Sequence, residues 1–379
     1  VFNTVHVQDF QAFACTSCGR CCKPWEIAIE AAQLSAIEGS SAYRSRVKEG
    51  YRPLHSERAG VARLGDRGDD ACTFLDAQSL CALHTELGGR SKPLGCQLFP
   101  YQAVQTPEGM FVSLSFACPP VVAGLDSDVE SNRQDLSVAL GRYSAPLPDT
   151  VESPYEVWLS ENMAISWASY VQLEARILKA YRRSEPLESV LSIVLSILRV
   201  GAPEGSRWPL LAAVREELSF PMEILAKYLG SMVSAVEDID DDERRATLAR
   251  AVESAQAITS ERFAMRLPRL DLAAPTQPWI LDTYHRYFRN AVLGKSLLKS
   301  SVVGRLLSIA CTIALASYYA EAYRQARGTD SVTLDCLTDA FAIVECHIVT
   351  HSPLTGSYFL GLEETFAKLA ELPVEALEA

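Results

Sequence analysis

The sequence predicts an α+β chain: a small, irregular cysteine-rich metal-binding domain over residues 1–124, followed by a larger all-α helical domain over residues 125–379. Three observations predict it. Eight of the eleven cysteines precede residue 119. The plainest β-rich runs, 99–105 and 110–117, fall in that same stretch. Beyond residue 125, apolar residues recur at helical spacing, with no repeat of fixed period and no low-complexity tract. A chain of 379 residues is long enough to bury a large core in two or three domains.

Taken in order, Trp25-Glu26-Ile27-Ala28-Ile29 alternates like a short strand, and 31–37 reads as a short helix. Residues 60–70 carry turn and charge signals and are expected to form a loop. The runs 99–105 and 110–117 flank Thr106-Pro107-Glu108-Gly109, a hairpin by composition. Cys96 and Cys118 then fall near the open ends of that hairpin and are expected to meet. Ser153-Pro154-Tyr155-Glu156 has the form of a capping box, which predicts a long helix reaching toward Arg183. Residues 187–200 keep helical spacing and stop at Gly201-Ala202-Pro203. Further helices are predicted over 208–218, 221–236, 240–265, 279–293, 296–327, 333–350 and 356–372, with Pro268, Pro275 and Pro278 punctuating a linker. The acidic run 237–243 suits a helix N-terminal turn and lacks the spacing and glycine of a calcium loop.

Composition narrows the function classes. Hydrophobic residues make up 48% and charged residues 22%, as in ordinary globular proteins. The formal net charge is −12. Residues 1–120 hold 11 basic and 12 acidic side chains, so the acidity belongs to the remainder. That balance argues against broad binding to nucleic acid or to an anionic membrane surface, and would suit a basic protein partner. The most apolar segment, 306–320, is shorter than the roughly 20 residues a membrane span needs and reads as a buried core helix. Val1-Phe2-Asn3 has neither the basic nor the apolar region of a signal peptide, so a cytoplasmic protein with reduced thiols is expected.

The chemistry sits in Cys15-Thr16-Ser17-Cys18-Gly19-Arg20-Cys21-Cys22, spaced C-x2-C-x2-C-C. Two cysteines three apart can turn both sulfurs toward one point, as metal knuckles require. The bland alternatives are two local disulfides or inert buried thiols. The same close-set triplet holds three irons of a [4Fe–4S] cube in bacterial ferredoxins, where a remote Cys-Pro supplies a further thiolate. Cys118-Pro119 has that form. With Cys72, Cys81 and Cys96 there are eight thiols, enough for two cubes or for one cube and a zinc. Neighbours in extended backbone point oppositely, so Cys21 and Cys22 are expected to serve different centres. The partition this suggests places Cys15, Cys18, Cys21 and Cys118 on one centre, and Cys22, Cys72, Cys81 and Cys96 on the other.

The order C-x2-C-x2-C-C, then Cys72-Thr73-Phe74-Leu75, then Cys81-Ala82-Leu83-His84, then Lys92-Pro93-Leu94-Gly95-Cys96-Gln97-Leu98-Phe99-Pro100 resembles the CxxCxxCC cysteine-cluster family of zinc- or iron-chelating proteins. Its long members with a helical C-terminal half resemble flagellin lysine-N-methylases. The resemblance is carried by 15–118; the rest matches in length, helical character and the tyrosine-rich segment Thr283-Tyr284-His285-Arg286-Tyr287-Phe288. It implies an iron–sulfur centre and methylation of lysines on a flagellin-like or other protein substrate, with S-adenosylmethionine as donor. A non-enzymatic iron–sulfur electron-transfer or sensor module with a helical partner-binding domain is the alternative. A zinc-stabilised interaction protein is a third reading.

The residues do not spell out the methyl-transfer site. The C-x3-C-x2-C of radical S-adenosylmethionine enzymes fails because position 25 is Trp, and no glycine-rich strand-to-helix turn is present. His84, three residues after Cys81, is expected to support a ligand and not to replace one. Tyr284 and Tyr287 are candidates to hold a lysine ammonium through cation–π attraction, although such stripes also build cores. Cys311, Cys336 and Cys346 occupy apolar helix positions and read as core. His347 and His351 lie one turn apart without the glutamate of a HExxH motif.

Overall fold

The computed structural model describes residues 4–11, 13–22, 27–56, 62–67, 71–124, 129–141, 155–160, 163–198, 277–345 and 363. The helices predicted over 208–218, 221–236 and 240–265, the acidic run 237–243, Cys346, His347 and His351 lie outside them. The predicted helix 356–372 does too, except for Glu363, which is helical. The chain divides into two compact units, one of Val1–Ala103 with Glu108–Pro148, the other of Val104–Pro107 with Asp149–Ala379. A mixed, cysteine-rich region with small sheets thus precedes a mainly helical region, the predicted fold class.

The cysteine-rich region has two small sheets. In one, β1 (Val5–His6) runs parallel to β6 (Gly109–Leu114), which also neighbours β5 (Tyr101–Thr106). Gly109 holds φ +128° at the hairpin turn, and a Cβ there would lie 2.6 Å from the Thr4 carbonyl, so only glycine fits. Val5, Val7, Met110 and Val112 close on Leu136 and Leu140 of α6 (Val129–Gly141). In the other sheet, β4 (Ala62–Leu64) pairs antiparallel with β2 (Ala28–Ile29) and β3 (Leu54–Ser56). Its core joins Ile29, Phe74 and Leu83 to Ile37 of α1 (Ala31–Glu38). The sequence reading put β4 in a loop. Ala62 and Leu64 pack on that core and overrule the surrounding turn residues. Short helices α2 (Ser41–Lys48), α3 (Ala82–Leu87), α4 (Leu94–Leu98) and α5 (Pro119–Ala123) complete the unit's named helices.

The second unit corrects the capping-box reading. Glu156 lies in β7 (Glu156–Ser160), antiparallel to β8 (Met163–Ser166), and the helix α7 (Trp167–Ala180) starts only at Ser166, whose side chain accepts from the Ser169 amide. The alternation decides it: Val157 and Leu159 are buried while Glu156 and Trp158 are exposed, a period of two that a helix cannot present. α8 (Pro186–Leu198) and α9 (Pro278–Leu293) stand where they were expected. The predicted helix 296–327 is broken. Lys295 adopts a left-handed φ of +59°, a 3₁₀ turn covers Ser296–Lys299, and α10 (Val302–Arg327) begins after Ser301 accepts from the Gly304 amide. α10 packs on α8 and on α11 (Leu334–Val344). The apolar stretch is longer than expected: Val302–Glu321 is 20 residues, enough by length and composition to cross a membrane, and 83% of its apolar window is buried inside the protein.

Candidate metal centre

The thiols arrive on three segments that local geometry folds together. In the first, Ser17 (φ +55°) and Gly19 (φ +72°) both take left-handed backbone, reversing the chain twice between Cys15 and Cys21. The Ser17 amide donates to the Cys15 sulfur at 3.4 Å, as in a metal knuckle. Arg20–Cys22 is a 3₁₀ turn and not extended chain. The Cys21 and Cys22 sulfurs therefore lie 4.0 Å apart, which removes the premise that they point oppositely.

In the second segment, the Cys72 amide donates to the Cys22 carbonyl at 2.7 Å, fixing this strand-like turn to the first. The Leu75 amide returns to the Cys72 carbonyl, and Leu75 bridges to Cys81. The Asp76 carboxylate accepts from the Gln78 and Leu80 amides and holds the loop between the two cysteines. A Cβ on Gly19 would stand 3.2 Å from Ser79 and 3.3 Å from Leu75, so the two thiol-bearing turns are in contact through glycine. In the third, the Ser115 amide donates to the Pro100 carbonyl and closes the open end of the hairpin. Cys96 on α4 and Cys118 at the head of α5 lie just beyond it.

All ten described cysteines are free thiols. Cys15 and Cys18 are exposed, Cys21, Cys22, Cys72, Cys81 and Cys96 half-buried, and Cys118 buried. Burial raises Cys72 to about 11, opposed by the Phe74 amide; the Cys81, Arg67 and Arg46 charges contribute less. Burial raises Cys96 to about 12, with Cys72, Cys81 and Cys21 adding to the rise and Lys92 opposing it. Cys118 is raised by burial and, less, by Cys21, Cys18 and Cys15, against the Val121 amide. Cys21 is raised foremost by its hydrogen bond to Cys22, then by burial. Cys118 thus answers to the first cysteine cluster and Cys96 to Cys72 and Cys81, with Cys21 acting on both.

Among the described residues, no three His, Cys, Asp or Glu side chains converge closely enough to hold a single ion as they stand. The donor chemistry nonetheless fits thiophilic metal, because eight thiols of one unit share backbone contacts and mutual charge. His84 is exposed on α3, its ring beside Gly89, and burial followed by the Lys92 charge holds it below the ordinary imidazole value. Tyr284 and Tyr287 lie in the helical core: Tyr284 shares a 2.6 Å hydrogen bond with Ser317, and Tyr287 packs 5.4 Å from Phe341. Cys311 and Cys336 are buried as expected. The sequence reading passed over Arg46, Arg67 and Lys92, whose charges reach these thiols. Only Lys92 had a signal, its place beside the Pro93–Cys96 motif.

No curated protein and no solved structure matches the chain. Where a comparison succeeds, it falls on the segments just described: residues 14–119 match the CxxCxxCC family, described as "Putative zinc- or iron-chelating domain", so this stretch is similar to that cysteine-cluster domain.

Proposed function

We propose that the cysteine-cluster domain holds iron in one or two [4Fe–4S] centres, and that the protein is a lysine N-methyltransferase acting on a protein substrate with S-adenosylmethionine as donor. One observation carries the iron reading: the close-set Cys15, Cys18 and Cys21 with the remote Cys118-Pro119 has the spacing with which ferredoxins hold a [4Fe–4S] cube. Cys22 is tied to Cys72 through the backbone, while Cys118 answers to Cys15, Cys18 and Cys21. Both facts fit the partition of Cys15, Cys18, Cys21 and Cys118 from Cys22, Cys72, Cys81 and Cys96, whereas the 4.0 Å approach of Cys21 to Cys22 and the effect of Cys21 on Cys96 fit a joint centre equally well. A bound cube supplies one-electron chemistry; the chain's part is to present thiolates and limit water. The methyl-transfer reading rests on resemblance alone: the motifs of residues 15–118 are those of the CxxCxxCC family, and its long members with a helical C-terminal half, to which this chain corresponds in length, helical character and the tyrosine-rich segment 283–288, resemble flagellin lysine-N-methylases. On this reading the protein works in the cytoplasm, apart from nucleic acid and membrane.

The second reading, a non-enzymatic electron-transfer or sensor module, is favoured by the exposure of Cys15 and Cys18, which would leave one edge of the centre open to a partner. Zinc as the sole occupant would make the domain an interaction scaffold. Metal and acid-labile sulfide analysis of full-length protein purified without oxygen separates these. Iron and sulfide in equal amounts, with visible absorption that bleaches on dithionite, is the expected result; zinc without sulfide would sink the iron reading. Saturable S-adenosylmethionine binding, with lysines of a co-expressed partner gaining one methyl mass, is expected of the enzyme. A redox-active protein that binds no donor would instead be the module.

A further inference from the structure

We propose that Cys21 and Cys22 close a reversible disulfide with each other when no metal holds them, so that oxidation shuts the cysteine cluster to metal. The step itself needs only these two thiols, whichever metal the domain takes; its effect on uptake rests on the chelating reading. Its basis is geometric. The two sulfurs lie 4.0 Å apart, and both residues are free thiols, half-buried and open to a small oxidant. Spacing alone points elsewhere, to Cys15 with Cys18 or Cys18 with Cys21, the C-x2-C arrangement of redox dithiols. The fold favours the neighbours instead. The Cys22 amide donates to the Gly19 carbonyl at 3.0 Å and closes the 3₁₀ turn Arg20–Cys22. The Cys22 carbonyl accepts from the Cys72 amide at 2.7 Å. The pair is thus fixed from both sides, while the Ser17 amide holds the Cys15 sulfur in its own turn at 3.4 Å.

The oxidant is a small peroxide, and the atoms balance in two steps. One thiol attacks a peroxide oxygen and becomes a sulfenic acid, releasing one water as the O–O bond breaks. The neighbouring sulfur then attacks the sulfenic sulfur; the S–S bond forms, and the S–O bond breaks to release a second water. Two electrons pass from the sulfurs to the peroxide, and the two thiol protons leave in the waters. A dithiol returns both electrons and both protons by thiol–disulfide exchange. Consecutive Cα atoms stand about 3.8 Å apart, short of the roughly 4.4–6.8 Å usual for a disulfide, so the closed pair is strained and easily reduced. Strained disulfides are the labile, regulatory ones, which suits a switch and not a structural bridge. The bond takes two of the eight thiols, one from each side of the partition above.

The test uses full-length protein freed of metal by a chelator, with one equivalent of hydrogen peroxide as the probe. Remaining thiols are alkylated, and the unreduced protein is digested and weighed by mass spectrometry. The expected result is a peptide holding Cys21 and Cys22 that is two hydrogens lighter and unalkylated at both, restored by dithiothreitol. Zinc uptake against a chromophoric chelator is expected to be lost with the bond and to return on reduction. Protein loaded with zinc beforehand is expected to resist the same peroxide. Cys15→Ser is expected to leave the Cys21–Cys22 bond forming, and Cys22→Ser to abolish it; both are read by mass, whether or not the variant still takes up metal. A Cys15–Cys18 or Cys18–Cys21 bond as the main product overturns the inference and leaves the chelating reading standing. So does a Cys21–Cys22 bond that leaves zinc uptake unchanged, or one that forms equally fast in zinc-loaded protein. Wild-type protein that takes up neither zinc nor iron while reduced overturns the chelating reading instead, and the switch with it.

Discussion

The thiols decide what this domain can do at neutral pH. Cys72 and Cys96 are pushed up to about 11 and about 12, chiefly by burial. At pH 7 both therefore carry protons until metal displaces them, and proton competition weakens as pH rises. Zinc affinity is accordingly expected to climb steadily between pH 6 and pH 8, with protons released on binding. Calorimetry in buffers of different ionisation enthalpy measures that release, and an affinity flat across this range would remove Cys72 and Cys96 from the ligand set. Which cysteines are candidates was legible because spacing alone marks them. How they sit was not: Cys21 and Cys22 looked opposed until a 3₁₀ turn brought their sulfurs to 4.0 Å. Tyr284 and Tyr287 failed to declare their environment for a similar reason. A stripe of rings reads alike whether it faces a ligand or, as here, Phe341.

Among the elements, the clearest lesson is the segment joining α9 to α10. Lys295 takes left-handed backbone that a non-glycine residue seldom adopts, and its ammonium lies 2.6 and 2.7 Å from the two Glu174 oxygens on α7. Tyr170 donates to the same carboxylate at 2.9 Å, and the Trp167 and Tyr170 rings lie 5.8 and 5.6 Å from the charge. Both side chains are nearly buried, at 6% and 9% exposure, so removing one partner strands the other in low dielectric. Lys295→Met is expected to destabilise the helical unit by about 3–5 kcal/mol, read as a lowered denaturation midpoint. Adding Glu174→Leu should recover part of that loss, because it removes the stranded charge; no recovery would mean the lysine acts through its backbone alone. None of this could be seen in the sequence, where 296–327 reads as one helix. β7 was missed for the opposite reason. Its alternation was present, but the Ser153–Glu156 capping pattern outranked it on paper, and pairing with β8 overruled that pattern in the fold.

For the molecule as a whole, the two units draw their stability from different sources. In the first, the two buried clusters are small, around Val5, Met110 and Leu136 and around Ile29, Phe74 and Leu83, and the thiol-bearing turns lie among short elements. In the second, α10 alone buries an apolar run from Val302 to Tyr323. A metal chelator is therefore expected to lower the thermal transition of the first unit and to leave that of the second unchanged. Calorimetry before and after chelation checks this, and a single transition that moves as one would contradict it. The sequence by itself determined the fold class, the CxxCxxCC pattern of residues 14–119 and most of the described long helices, because thiol spacing and apolar period are local properties of a chain. Only the tertiary structure decided which thiols act on one another, that Arg46 and Arg67 meet at Leu75, and that Lys295 is buried against Glu174. Those contacts join residues that are distant along the chain, and charge acts through space and not along sequence.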